Sequence, residues 1–354
     1  MLPPWWVRRL LLVPLMLVVS VAAVVTFPVT AVLAVVAGLF SRHRTRPLKI
    51  LVLVVAYLAA EGVGLLVLGG LWVISGFGRT IRNPVNERRH YVLVRTFLQF
   101  LFGVVTRVLH VEVEVEGPAP EAYDDRPLIV FCRHAGPGDS FLIVHALLDW
   151  YDREPRIVLK DTLQWDPAID IVLNRLPNRF IASGAPGESS PAQAGRPPLP
   201  QVIGELARRL DDNDALVLFP EGGNFTDRRR ARAIARLRRK GLLAEAEKAE
   251  ALRNVLPPRP AGVLAVLENA READVVWVAH TGTDHLLTVA DIWAALPVDT
   301  HIRMRWWQVP AGSVPGEPAA QVEWLNDWWR HIDEWIGTHR PTRAPASRSG
   351  ETYW

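Results

Sequence analysis

The chain has 354 residues, which is enough for one large domain and an additional membrane segment. Apolar residues make up 49% of the sequence and the mean hydropathy is +0.12, and both values are high for a soluble protein. The formal charge is only +3, and the single cysteine, Cys132, excludes an internal disulfide framework.

Two long apolar stretches open the chain. Residues 10–40 contain no charged side chain, and residues 50–77 are interrupted only by Glu61. A helix of about 20 apolar residues can cross a bilayer, so the sequence predicts a membrane-embedded segment of two helices within residues 1–80. Buried core helices and a cleavable signal peptide are disfavoured, because both stretches are long and the second follows the first.

Basic residues flank both ends of these stretches, so the positive-inside rule does not fix their orientation. Two full spans and a hairpin that dips into one leaflet are both compatible with the sequence. Glu61 lies beside Gly62 and Gly64. It is either a functional buried acid or part of a helix–helix or interfacial contact.

Residues 126–150 predict a strand, a tight loop and a helix in succession. The apolar run 128–131 indicates a buried strand, and the Gly-Pro-Gly sequence at 136–138 forces a loop. Residues 141–150 then have the apolar periodicity of a helix. A loop this short brings the end of the strand close to the start of the helix.

His134 follows that strand, and Asp139 lies at the start of the helix, where its carboxylate can fold back onto the imidazole. An aspartate bonded to one ring nitrogen fixes the tautomer and leaves the other nitrogen as a general base. Such a pair can deprotonate a hydroxyl group so that it attacks an acyl group. On the spacing alone, a loop histidine beside an ordinary aspartate N-cap is the simpler interpretation.

A second buried run favours the catalytic interpretation. Residues 215–220 are apolar, and the polar sequence Glu221-Gly-Gly-Asn224 follows them. Open α/β sheets build their sites where neighbouring strands deliver polar residues at their C-terminal ends. The two stretches together therefore predict an α/β fold with a site at that edge of the sheet.

These motifs resemble those of a known family. The sequence HAGPGD at 134–139 is similar to the HxxxxD motif of the glycerolipid acyltransferases, the lysophosphatidate acyltransferase superfamily, and FPEG at 219–222 is similar to their FPEG block. KDTL at 160–163, followed by Phe-Ile at 180–181, resembles the second motif, and VVWVAHTG at 275–282 resembles the fourth. The order and rough spacing of the motifs also agree with the family pattern.

The resemblance implies a glycerolipid-acyltransferase-like α/β catalytic domain over residues 81–340, preceded by the membrane-embedded two-helix segment 1–80. We expect residues 341–354 to be disordered. The implied function is that of a membrane-bound O-acyltransferase, similar to the 1-acylglycerol-3-phosphate acyltransferases. It would move an acyl chain from acyl-CoA to the hydroxyl of a lysophosphatidate-like lysophospholipid, in phospholipid biosynthesis or remodelling. His134 would remove the hydroxyl proton, and Asp139 would orient His134.

Two other functions remain open. A non-catalytic lipid-binding membrane protein could keep the fold, and the acyl acceptor could be a different lipid, such as a glycolipid. A serine hydrolase is disfavoured, because the chain contains no GxSxG sequence.

The resemblance implies no bound cofactor, with acyl-CoA or an acyl carrier protein thioester as the co-substrate. The expected partners are membrane lipids and a lysolipid substrate, with no nucleic acid. No cluster in the sequence suggests a metal site, and direct attack on a thioester requires none. We expect the protein to reside in the bacterial plasma membrane with its catalytic domain facing the cytoplasm.

The resemblance also indicates acceptor-binding residues. They are Ser183, Glu221, Gly222, Gly223, Asn224 and Arg259. Ser183 and Asn224 depart from the family pattern, because members that act on lysophosphatidate carry arginine at these positions. We therefore expect no clear preference for lysophosphatidate, unless Arg179, Arg228 or Arg259 supplies the charge from nearby.

The most basic stretch, residues 227–240, has a helical pattern. We assign Arg228, Arg229 and Arg230 to a surface for anionic lipid or for the phosphates of a thioester co-substrate. A solvated helix and nucleic-acid binding are the alternatives, and no nucleic-acid-binding module supports the second.

Further elements frame these motifs. Residues 83–102 predict a helix that leads into the domain, and residues 183–200 predict a loop. The alternating sequence 110–116 predicts a half-exposed strand with its three valines toward the core and its three glutamates toward water. Residues 320–337 predict a tryptophan-rich helix, for which core packing is favoured over an interfacial belt.

Overall fold

The structure, a computed structural model, describes residues 2–40, 44–117, 126–136, 138–181, 197–282 and 300–340. Ser183, most of the predicted loop around it and the expected disordered tail lie outside the described residues.

The helices of the described part are α1 (Trp5–Leu39), α2 (Arg46–Ile74), α3 (Pro84–Leu109), α4 (Asp139–His145), α5 (Pro167–Arg175), α6 (Leu199–Ala207), α7 (Asp227–Arg239), α8 (Leu243–Ala251), α9 (Pro260–Asn269) and α10 (Pro318–His339). The strands are β1 (Val111–Glu116), β2 (Leu128–Cys132), β3 (Glu154–Lys160), β4 (Arg179–Ile181), β5 (Asp214–Leu218), β6 (Asp274–Thr281) and β7 (Thr300–Val309). A π-helical turn extends α4, and a 3-10 turn links β3 to α5.

The strands form one sheet in the order β1-β7-β6-β2-β5-β3-β4. β6 and β7 are antiparallel, and the other neighbouring pairs are parallel. The central strands β2 and β6 are buried along their whole length, because helices cover both faces of the sheet. The predicted α/β fold is confirmed.

β2 contributes to the core on both sides of the sheet, because its side chains alternate in direction. Ile129 and Phe131 pack in one apolar cluster, with residues of α6, α9 and α10. Leu128 and Val130 pack in another cluster, with residues of α4. Full burial of such a side chain stabilises the fold by about 1.5–3 kcal/mol, so β2 is fixed firmly at the centre of the sheet.

The tryptophan-rich helix α10 packs on the first of these clusters. Its fully buried residues lie at helical spacing and are Leu325, Trp329, Ile332 and Ile336. The remaining tryptophans of this helix lie against the same cluster at its margin. The favoured core-packing interpretation is thus correct for this helix.

The edge strand β1 differs in one detail from its sequence pattern. Val111 and Val113 pack against the core, but Val115 is 38% exposed, so the expectation that all three valines face the core is wrong. The three glutamates form ion pairs with the neighbouring strand β7. These pairs are Glu112 with His301, Glu114 with Arg303 and Glu116 with Arg305. Most of these side chains are well exposed, so each pair contributes little to stability.

Three helices at the N-terminus, α1, α2 and α3, are each long and apolar enough to cross a membrane. The first two are the predicted apolar pair. The third is the helix that the sequence predicted as the lead into the domain. Most of the apolar side chains of α1 point away from the rest of the protein, and many of them are more than half exposed.

These helices contact the sheet domain through α5 and, in the case of α3, also through α4 and β1. The contacts are both apolar and charged. Arg8 and Arg9 of α1 bind the two carboxylate oxygens of Asp170 at 2.7 Å and 2.8 Å. Asp170 is only 1% exposed. Two guanidinium groups therefore hold one buried carboxylate between α1 and α5.

Helix α2 contacts both ends of α5. Glu61 is fully buried, and its carboxylate accepts a hydrogen bond of 2.9 Å from the backbone N–H of Ala168, in the first turn of α5. At the other end, Arg175 donates to the carbonyl oxygen of Leu68 at 2.9 Å. Of the alternatives that the sequence left open for Glu61, the structure thus shows a helix–helix contact, in which the carboxylate binds the first turn of α5.

Candidate active site

Three neighbouring strands, β5, β2 and β6, are parallel, so their C-terminal ends lie at the same edge of the sheet. His134 follows β2, Glu221 follows β5, and His280 lies near the end of β6. The predicted convergence of polar residues at this edge is therefore observed, with a histidine from a third strand in addition.

His134 and Asp139 lie side by side. The distance from His134 Nδ1 to Asp139 Oδ2 is 3.5 Å, which is long for a hydrogen bond, but catalytic hydrogen bonds often shorten only when substrate binds. The side chain of His134 is 16% exposed, whereas that of Asp139 is 1% exposed. The imidazole lies against the ring of Phe219, with ring centroids 4.6 Å apart. One ring nitrogen therefore faces a buried carboxylate, and the ring remains open to solvent.

Asp139 also fixes the loop between β2 and α4. Its Oδ2 atom accepts hydrogen bonds from the backbone N–H groups of Ala135 and Gly136. Burial alone would raise the pKa of Asp139, but His280, His134 and the N–H of Gly136 outweigh burial and lower the pKa below its usual value. Asp139 therefore stays ionised near neutral pH.

His280 is the residue that the sequence analysis missed. It is completely buried, and its Nε2 atom lies 3.7 Å from Asp139 Oδ2 and 3.3 Å from the carbonyl oxygen of Arg133. Asp139 therefore lies between two imidazoles. A polar residue near the end of a third apolar run, within VVWVAHTG, is the signal that could have identified it.

Glu221 binds backbone groups on both sides of it. Oε2 accepts a hydrogen bond of 3.2 Å from the N–H of His134, and Oε1 accepts one of 3.2 Å from the N–H of Leu256. Burial raises the pKa of Glu221 to about 8, although the nearby guanidinium of Arg133 lowers it. The carboxyl group sets the position of His134 through its backbone.

Arg133 lies next to these groups and is only 1% exposed. Its guanidinium donates to the carbonyl oxygen of His280 at 2.8 Å and to that of Asn254 at 3.2 Å. The positive charge of this guanidinium lowers the pKa of Glu221 and so offsets part of the cost of ionising that buried carboxyl group. The sequence analysis did not identify this residue either.

The loop after β5 closes over His134. The N–H of Phe225 donates to the carbonyl oxygen of His134 at 2.7 Å. Within this loop, Gly222 has a φ of +66°, a conformation that favours glycine. Asn224 accepts a hydrogen bond of 3.1 Å at its carbonyl oxygen, from Nη1 of Arg229.

The predicted basic surface divides into two parts. Arg228 and Arg229, in the first turn of α7, are exposed. Arg230 instead donates to the carbonyl oxygens of Leu252 and, at 2.7 Å, of Glu250, so it joins α7 to α8. Only the first two arginines are thus presented to a ligand or a membrane.

The other candidate residues are placed as follows. Arg259 lies at the loop after β5, because its N–H donates to the carbonyl oxygen of Pro220 at 2.9 Å. Cys132 is fully buried in the core, in agreement with a packing role. Among the described residues, no group of His, Cys, Asp and Glu could hold a metal ion.

An α/β domain with a histidine–aspartate pair at the C-terminal edge of its sheet suits acyl transfer, and comparisons with known proteins agree. Residues 110–263 match the family model described as Acyltransferase. The fold is similar to the crystal structure of the 1-acyl-sn-glycerophosphate (LPA) acyltransferase PlsC from Thermotoga maritima, with a TM-score of 0.52 and 16% identity. The match covers 83% of this chain and 98% of that one. No curated protein matches the chain.

These findings confirm the resemblance of the sequence motifs. Residues 110–263 are thus similar in sequence to the acyltransferases, and the chain shares its fold with that crystal structure.

Proposed function

We propose that this protein is a membrane-bound O-acyltransferase that moves an acyl chain from an acyl thioester to the hydroxyl of a lysophospholipid. The observation that carries the proposal is the contact between His134 and the buried, ionised Asp139. Because Nδ1 faces the carboxylate, Nε2 is the nitrogen left for the substrate.

The reaction follows from this geometry. Nε2 of His134 removes the proton from the acceptor hydroxyl, while Asp139 stabilises the imidazolium that forms. The hydroxyl oxygen attacks the thioester carbonyl and forms a tetrahedral intermediate. Its collapse breaks the carbon–sulfur bond, and the departing thiolate takes the proton from His134. The products are an ester and a free thiol, and no protein nucleophile is acylated.

The buried groups around His134 keep it in place during this cycle. Glu221 holds the backbone N–H of His134, and the N–H of Phe225 holds its carbonyl oxygen. Asp139 binds the N–H groups of the next two residues. Because its backbone is held on both sides, His134 loses little conformational entropy when the acceptor hydroxyl approaches.

The apolar helices α1, α2 and α3 would attach the enzyme to its lipid substrate. Their outward side chains are apolar and exposed in the isolated chain, as expected for surfaces that contact lipid. The proposed location is the bacterial plasma membrane, with the catalytic domain on the cytoplasmic side. Acyl-CoA or acyl carrier protein would supply the acyl chain there.

Mass spectrometry of products tests this function. Purified protein is offered a panel of lysolipids, each with acyl-CoA or acyl carrier protein thioesters. We expect a diacyl product with at least one pair, and none with the His134→Ala variant. If a product forms only with glycolipid acceptors, the acceptor is a glycolipid and not a lysophospholipid. If lysolipid binds but no pair gives a product, the result favours a non-catalytic lipid-binding protein.

A further inference from the structure

We propose that the corner between α2 and α3, residues 72–89, binds the headgroups of anionic phospholipids at the surface of a bilayer. This corner surface consists of the aromatic rings of Trp72 and Phe77 and the guanidinium groups of Arg79, Arg82 and Arg89. The inference goes beyond the proposed function, because it concerns the lipids that surround the protein and not the lipid that it acylates.

Two aromatic rings are exposed where α2 ends. The helix ends at Ile74, and its last three side chains, from Trp72 onward, are exposed apolar groups. Phe77 in the following loop is 67% exposed, and its ring lies edge-on against that of Trp72, with the ring centroids 5.0 Å apart. These groups continue the exposed apolar side of α2. Tryptophan is enriched where such helices leave a bilayer, so the apolar part of the corner surface fits a membrane.

The backbone holds Phe77 outward in a strained conformation. Its φ is +57°, and the flanking residues Gly76 and Gly78 have φ values of +67° and +87°. Glycine adopts such values freely, but they are rare for a bulky side chain. A strained residue persists only where its surroundings fix it, and such residues cluster at sites of ligand contact. Strain at an exposed aromatic residue therefore indicates that the ring contacts something outside the protein.

Buried polar groups hold this loop in one shape. Ser75 is buried, and its hydroxyl donates to the carbonyl oxygen of Trp72 at 2.8 Å and accepts from the N–H of Gly78 at 3.2 Å. The side-chain amide of the buried Asn86 donates to the carbonyl oxygen of Thr80 at 2.7 Å. The N–H of Thr80 donates in turn to the carbonyl oxygen of Ser75 at 3.0 Å. A loop that is already ordered loses little entropy when it binds a partner.

The positive charge beside these rings is not neutralised by the protein. Arg79, Arg82 and Arg89 are exposed, and among the described residues no carboxylate forms an ion pair with any of them. Nη1 of Arg89 donates to Oδ1 of Asn86 at 3.1 Å, which keeps this guanidinium beside the loop that Asn86 holds. Basic residues next to a membrane segment attract anionic lipid headgroups. The rings thus favour a bilayer, and the charge adds a preference for an anionic one.

The neighbouring Arg88 provides an internal control. It is also exposed, but its charge acts on the sheet domain. Burial raises the pKa of Glu154 in β3 to about 7, and Arg88 is one of the positive charges that lower it. Successive residues are about 100° apart around a helix, so Arg88 and Arg89 leave α3 in different directions. We therefore expect Arg89, but not Arg88, to contribute to the corner surface.

Fluorescence quenching by labelled lipids tests the contact. A fluorophore is attached at Phe77→Cys in the full chain, in nanodiscs that contain phosphatidylcholine or phosphatidylglycerol with a nitroxide near the headgroup. Cys132 is completely buried, so the wild-type chain is the control for labelling elsewhere. Glu323→Cys places the same fluorophore at an exposed position of α10, which packs on the opposite face of the sheet from α4.

We expect strong quenching at residue 77 and little at residue 323. Nitroxide phosphatidylglycerol should quench residue 77 about three- to tenfold more effectively than nitroxide phosphatidylcholine, because each arginine favours an anionic headgroup. Arg79→Ala combined with Arg82→Ala should bring this ratio close to one, whereas Arg88→Ala should preserve it. High salt should reduce the ratio in the protein with all its arginines, because it screens exposed charges.

Three results would overturn the inference. They are equal quenching at residues 77 and 323, equal quenching of residue 77 by the two lipids, and a ratio that the double variant Arg79→Ala with Arg82→Ala leaves unchanged. Thermal unfolding of the double variant at the wild-type temperature shows that a lost ratio is not caused by misfolding. None of these measurements requires acyl transfer, so their outcome is independent of the proposed function.

Discussion

The sheet domain and the N-terminal helices place polar and apolar residues in opposite ways. In the sheet domain, apolar strands fill the interior, and every residue of β2 and β6 is buried. In α1, the fully buried residues are Arg8, Ser20 and Gly38, while most of the apolar side chains face outward. The hydrophobic effect organises the first region. In the second region, charged and small residues share the internal contacts with a small apolar cluster, and much of the apolar surface faces outward.

Each region contacts a buried aspartate, Asp170 at the N-terminal helices and Asp139 at the candidate active site. The two aspartates differ in their partners. Asp170 is bound on both oxygens by arginines, at distances typical of strong ion pairs. Asp139 uses one oxygen for two backbone N–H groups and faces two imidazoles at longer distances. The first arrangement is complete without substrate. The second can gain strength when a proton arrives on His134, which is what a catalytic carboxylate requires.

The largest expected effect is on activity. His134→Ala should reduce kcat by about 10²–10⁴, because general base catalysis contributes that much. Thermal unfolding should change little, since this side chain lies at the surface of the site and is 16% exposed. Single-turnover kinetics and calorimetric unfolding in detergent measure the two quantities. Activity within tenfold of wild type would show that His134 is not the base.

The complementary expectation is a large effect on stability. Asp170→Ala leaves two arginines without their carboxylate, one of them 7% exposed, and should destabilise the protein by ~3–5 kcal/mol. Denaturant unfolding in detergent checks this value. Glu323→Ala is the control, because its ion pair with Lys248 is exposed and contributes at most about 1 kcal/mol. If both variants lose a similar free energy of unfolding, the ion pairs of Asp170 are no more important for stability than an exposed ion pair.

A smaller effect is expected at the second histidine. His280 favours the ionised form of Asp139, so His280→Gln should raise the pKa of Asp139. The acidic limb of the kcat/KM profile should then move to higher pH, and the loss of activity relative to the wild type should grow as the pH falls. His280 is a positioning residue here, and the shift in the profile is a change that a purely structural role would not cause. An unshifted profile argues against it.

The last expected effect concerns the pH dependence of stability. The folded pKa of Glu221, about 8, is raised above its ordinary value of 4.5, so the folded state binds more protons between these pH values. Its contribution to stability therefore decreases as pH rises from about 4.5 to 8. Glu221→Gln cannot titrate, so the wild type should lose stability relative to this variant over that range. Parallel melting curves at several pH values test the sign.

The sequence predicted those features that depend on near neighbours. His134 and Asp139 are five residues apart, and strand, loop and helix signals lie between and around them, so their contact was predictable. The tryptophan-rich helix and the two apolar helices were predictable for the same reason, because periodicity is a local property. The resemblance of residues 219–222 to the FPEG block indicated in addition that a second strand contributes to the same site.

Contacts between distant segments were not predictable in this way. His280 reaches Asp139 only because β6 lies next to β2, and nothing in the strand sequences fixes that order. Arg229 returns to the loop after β5 because of the direction of α7, which depends on tertiary packing. Glu61 was singled out in the sequence with its role left open, and its partner Ala168 lies more than a hundred residues away.

The ion pair between α1 and α5 also has a consequence for biosynthesis. Arg8 and Asp170 are 162 residues apart. At roughly 5–20 residues per second, the ribosome reaches Asp170 on the order of 10–30 s after Arg8. During that interval the first apolar helices have emerged with their arginines uncompensated. The charge that completes their packing arrives only when α5 is made, so the final packing of the N-terminal helices is coupled to the folding of the sheet domain.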